Sequence, residues 1–110
     1  MLPSNFIVRA RYLIHLAPKW GGSHPSMEKF IAQCRSQGLA QDKIDLLDAI
    51  KIDDQGTVAE ERGNIEQARA EFKKALLLAH PASKKFRQDY LSSSARICGE
   101  PEHRGKDYCL

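Results

Sequence analysis

The chain has 110 residues and a mass of 12.4 kDa, which is the size of one domain. Hydrophobic residues make up 42% and charged residues 28%. That composition excludes collagen-like, low-complexity and largely disordered chains. The net charge of +3 is unevenly spread. Residues 1–38 hold five basic and one acidic residue, residues 39–66 three basic and eight acidic, and residues 67–110 nine basic and five acidic. An acidic middle between basic ends points to a polarised binding surface. Nucleic-acid binders show a sustained basic stripe instead, so nucleic acid is not the expected partner.

No apolar run reaches the ~18 residues of a membrane span, so no membrane insertion is expected. The stretch Met1 to Asn5 lacks a basic n-region, and Arg9 and Arg11 interrupt the apolar residues that follow. A signal peptide is therefore not expected, and cytoplasm and periplasm both stay open.

In chain order, Phe6, Ala10, Leu13, Ile14 and Ala17 mark one face of a first helix, which Pro18 stops. The turn Lys19-Trp20-Gly21-Gly22-Ser23 follows. Ser23 or His24 then caps a second helix carrying Pro25 in its first turn. Met27, Phe30, Ile31 and Cys34 form its stripe, and Gly38 ends it. From Gln41 to Arg62 the pattern is again helical, with Ile44, Leu47, Ile50, Val58 and Ala59 facing inward. Gly56 and Asp53-Asp54 weaken the middle, leaving either one kinked helix or two helices meeting near residues 51–54. Gly63-Asn64 ends that segment and caps the next, in which Ile65, Ala68, Phe72, Ala75, Leu76 and Ala79 share one face up to Pro81. A last helix from about Ser83 to Ile97 uses Phe86, Tyr90 and Ile97. Its Ser92-Ser93-Ser94 run thins the apolar face. No segment alternates as a strand does. The expected fold is all-α, with four to five antiparallel helices over residues 1–98 and a loose polar tail over 99–110.

Residues 49–82 resemble one tetratricopeptide repeat (TPR), a helix–turn–helix unit, through Ile52, Gly56, Ala59, Gly63-Asn64-Ile65, Ala68, Phe72, Ala75 and Pro81. Gly56 and Ala68 are small where the helices of a hairpin approach closely. Ile52 stands where the family has Trp, and Ala59 where it has Tyr. A fainter copy lies 42 residues upstream, pairing Gly21 with Gly63, Ser26 with Ala68, Phe30 with Phe72 and Cys34 with Leu76. The string Pro18-Lys19-Trp20-Gly21-Gly22-Ser23 is similar to the Pro-Arg-Trp-Gly-Gly-Ser element of a bacterial family of unknown function with a TPR-like region. That likeness implies a bacterial source and no particular activity.

The TPR resemblance implies that Asp53, Thr57, Glu60 and Glu61 line a concave groove for an extended peptide. The family's carboxylate clamp uses basic residues and Asn at such positions. The opposite charge here suits a basic partner segment, by complementarity of potentials; the bland alternative is a solvated helix face. Trp20 reads as an aromatic anchor at a partner surface or, preferred on sequence grounds, as a wedge under the turn that locks the first two helices. Cys34 fits a core position. Cys98 and Cys109 suit a disulfide that ties the tail to the last helix and stabilises by roughly 3 kcal/mol if formed. Cys98, His103 and Cys109 supply three candidate ligands at odd spacing where structural zinc needs four, so no metal is expected. Asp45, Asp48, Asp53 and Asp54 lack any sign of an acid–base pair, so no catalytic residue and no cofactor is expected. The resulting expectation is a non-catalytic protein-interaction module, with homo-oligomerisation open because a lone repeat leaves an apolar face uncovered. Alternatives are an immunity-type inhibitor of a bacterial toxin or effector, and an accessory domain of an enzyme.

Overall fold

The computed structural model describes residues 5–110; the first four residues, where an n-region would begin, lie outside the described residues. Among the described residues the fold is all-helical, with six α-helices: α1 (Phe6–His15), α2 (His24–Ser36), α3 (Gln41–Glu61), α4 (Ile65–Leu78), α5 (Lys84–Tyr90) and α6 (Ser92–Arg96). Short 3-10 turns occupy Pro18–Trp20, Ile97–Gly99 and Asp107–Cys109. No helix among the described residues is long and apolar enough to cross a membrane.

Local chemistry explains the helix starts. The Asn5 side chain accepts from the backbone N–H groups of Ile7 and Val8, and Ser23 accepts from Ser26 N–H at 3.1 Å. Pro25 then sits in the first turn, where no backbone donor is needed. Ser83 caps α5 through Phe86 N–H in the same way. Asn64 holds the N-cap position of α4, but its side chain makes no capping bond, contrary to the expectation from its residue type. Ile65, expected on the buried face, is 45% exposed. It lies in the first turn of α4, ahead of the stripe that begins at Ala68.

Two expectations about helix limits are corrected. The acidic middle is one continuous helix of 21 residues: Gly56 stays helical because Phe72 and Ala68 of α4 pack against it. The last helix is instead broken at Leu91 (φ −128°, ψ 41°) into α5 and α6, which raises the total to six. Leu91 is fully buried. The break carries the serine run onto α3, where Ser94 N–H and Oγ both donate to Asp53 Oδ1 at 2.8 and 2.6 Å. The three serines form a polar seam between helices rather than a depleted apolar face.

The interior has two clusters. The larger is built from Ala10 and Leu13 of α1, Met27, Ile31 and Cys34 of α2, Ile44, Leu47 and Ile50 of α3, Ala75 of α4 and Leu91. The smaller joins Ala59, Ala68, Phe72 and Leu76 to Ile97 and Tyr108, with the bonded pair Cys98–Cys109 packed against it. Residues 99–110, whose composition suggests a loose tail, are therefore folded onto α4. His103 and Tyr108 are buried and hydrogen-bonded to each other at 2.7 Å. Arg87 of α5 reaches across to donate to the Tyr108 carbonyl at 3.0 Å.

Candidate functional site

The turn after α1 is fixed by its backbone. Trp20 N–H donates to the Ala17 carbonyl, Gly22 N–H to the same carbonyl and Ser23 N–H to that of Leu16, at 2.9, 3.1 and 2.8 Å. Gly21 has φ +87°, a conformation glycine adopts without steric cost. A Cβ on Gly22 would fall 1.9 Å from the Leu16 carbonyl oxygen, so the second glycine is required by close backbone approach. This rigid loop presents Trp20 outward, 59% exposed, its ring against His15 at 5.9 Å. Trp20 is thus not the wedge between the first two helices that the sequence favours: the glycines carry the tight packing, and the indole remains available.

Beside Trp20 opens a cleft of about 260 Å³. Its polar lining comes from Lys19 on the turn, Asp53, Asp54 and Thr57 on α3, Asp89 on α5, and Ser92 and Ser93 on α6. Trp20 and Tyr90 contribute aromatic surface, and Ile14, Ala17, Met27 and Ile50 the apolar remainder. Three carboxylates thus share the cleft with one ammonium group, Lys19, whose Nζ lies over the Trp20 ring at 5.6 Å.

The carboxylates differ in setting. Burial pushes the Asp53 carboxyl up to about 6, against the opposing effect of its two hydrogen bonds from Ser94. Asp54 lies 2.7 Å from His24 Nε2. Asp89 is paired with Lys85 one turn earlier on α5, at 3.1 Å and well exposed, a pairing of small energetic weight.

Of the residues expected to bind a partner, Trp20, Asp53 and Thr57 meet at this cleft; Glu60 and Glu61 do not. Glu60 accepts from Arg96 at 2.9 Å, and Glu61 is exposed at the end of α3. Thr57 Oγ1 donates to the Asp53 carbonyl and to Ser93 Oγ, at 3.1 and 2.9 Å. Helix α6 therefore lies along the α3 face that the repeat resemblance leaves open as a groove. The part next to Trp20 remains open as a cleft. Asp89, Tyr90 and the serines escaped sequence reasoning because their approach to α3 depends on the break at Leu91. The run of three helix-poor serines was the one available signal.

A larger cleft of about 360 Å³ lies between α3 and α4, lined among others by Arg62, Gln67, Glu71 and Lys74. Its charges are mixed and it contains none of the expected binding residues. Among the described residues no group of three His, Cys, Asp or Glu side chains is arranged to hold a metal ion. The two sulfurs nearest His103 in sequence, Cys98 and Cys109, are bonded to each other. Comparison with protein families, with curated proteins and with solved structures finds no match to this chain.

Proposed function

We propose that this protein is a non-catalytic interaction module whose Trp20 cleft receives a basic side chain from a segment of a partner polypeptide. The observation carrying the reading is the convergence of Trp20, Asp53 and Thr57 with Asp54 and Asp89 on one cleft. Carboxylates attract a lysine or arginine head, and the Trp20 and Tyr90 rings favour a cation over their faces. The outward indole supports this, since tryptophan and tyrosine on a rigid base make effective anchors. The close contact of Gly56 with Phe72 and Ala68 supports reading α3 and α4 as one TPR-like hairpin, with α6 occupying much of its inner face.

Trp20 is the single tryptophan, so its fluorescence reports on the cleft directly. Titration with an arginine-rich peptide should shift or quench that emission, with affinity falling as salt screens the charges. Asp89→Lys, at an exposed position, should weaken binding by about tenfold or more, on the order of the loss from reversing a charge beside a bound cation. Unchanged affinity in that variant, or equal binding of a glutamate-rich peptide, refutes the reading.

A further inference from the structure

A second surface is distinct in chemistry from the acidic cleft. The outer face of α1 exposes Ile7, Val8 and Tyr12 at 42%, 38% and 52%, and beyond the helix end the exposed Trp20 ring stands against His15. Tyr12 is stacked on Phe30 of α2 with ring centroids 4.8 Å apart. Arg11 and His15 lie on the same exposed face, followed by Lys19 on the turn. From Asn5 to Met27 there is no acidic residue. The first is Glu28, whose carboxylate is tied to Lys51 at 2.6 Å.

We infer that the outer face of α1 docks onto the surface of an anionic lipid bilayer. Apolar and aromatic side chains interleaved with arginine and lysine are what an interfacial helix presents to headgroups and the upper acyl region. The local charge of this face favours anionic headgroups: Arg11 and Lys19 are exposed, and the segment that carries them supplies no carboxylate to offset them. A second copy is a poor occupant, because two such faces would bring Arg11 and Lys19 together with no carboxylate between them. A partner helix is disfavoured too. Ile7, Val8, Arg11 and Tyr12 line neither of the two clefts described above, and a planar fluid surface needs no groove.

The test is flotation of the full chain with lipid vesicles, since Trp20 also borders the cleft and its fluorescence alone would not separate the two surfaces. Vesicles of phosphatidylcholine containing roughly a third phosphatidylglycerol supply the negative surface potential; pure phosphatidylcholine vesicles do not. The protein should float with the first and not the second, and added salt should release it. The double variant Val8→Glu/Tyr12→Glu, at positions already exposed, should lose about tenfold or more of the binding, and Arg11→Glu a comparable factor. Lys106→Glu, an exposed cation in the C-terminal segment, should behave as wild type. Absence of flotation with anionic vesicles overturns the inference. So does wild-type flotation of the double variant with folded circular dichroism, or equal loss in Lys106→Glu and Arg11→Glu, which would mean attraction by net charge alone.

Discussion

Substituting Gly56 by alanine sets two effects of opposite sign against each other. Alanine is the better helix former by about 1 kcal/mol in a helix interior, so propensity alone predicts stabilisation. The structure predicts the reverse. A Cβ at position 56 would lie 2.5 and 2.7 Å from Cε1 and Cδ1 of Phe72, and 3.3 Å from the Ala68 carbonyl oxygen. The Phe72 ring is 1% exposed and held among Ala59, Ala68, Leu76, Ile97 and Tyr108. The ring cannot withdraw without moving a second buried side chain. Relief then comes from separating α3 from α4, and overpacking of this kind costs about 1–3 kcal/mol. Two contacts below 3.0 Å place the cost in the upper part of that range, about 2–3 kcal/mol. With the propensity gain subtracted, Gly56→Ala should therefore destabilise by about 1–2 kcal/mol, a drop of roughly 4–16 °C in Tm for a domain of this size. Urea denaturation followed by far-UV circular dichroism measures it, provided the m-value is unchanged. In a Phe72→Val background, which has neither a δ nor an ε atom and so removes both clashing contacts, the same alanine should become neutral or stabilising. A Gly56→Ala protein as stable as wild type would refute the close approach of the two helices.

Two further predictions concern polar and covalent ties. For Asp53 the folded value of about 6 stands above the ordinary 3.8, so the native state holds its proton more tightly than the unfolded chain. Its contribution to stability is full below pH 3.8 and is lost as pH rises through 6, a decline of at most about 3 kcal/mol. Both bonds from Ser94 end on Oδ1, which asparagine retains, so Asp53→Asn should gain on wild type between pH 4 and 7; parallel stability curves would contradict this. Replacing Cys98 and Cys109 by serine should cost about 3 kcal/mol and speed amide hydrogen exchange over residues 99–110 more than in α2. Uniform exchange changes would show that the segment packs without the bridge.

Much of the helical layout was legible because its signals are local. Stripes at helical spacing placed α1, α2 and α4, Pro18 and Pro81 stopped helices, and Ser23 capped α2. The continuity of α3 was not legible: the penalty for Gly56 is a property of the residue, while the Phe72 ring that makes a side chain unwelcome there comes from another helix. The α5–α6 break was hidden for the same reason. Serine is a weak helix former anywhere, but only the buried carboxylate of Asp53 gives Ser94 cause to turn toward α3.

The candidate site divides along the same line. Residue type marked Trp20, and the resemblance to a tetratricopeptide repeat marked Asp53 and Thr57, as positions worth attention, and the uneven charge along the chain could be counted. Which of them share a cleft, that α6 covers the α3 face bearing Glu60, and that the indole points outward were decided by packing. Helical periodicity is written within a few turns of chain. A cleft assembled from residues 19–20, 53–57 and 89–93 depends on contacts across about 70 residues, and such contacts form only as the two clusters of the core close around Leu91 and Phe72.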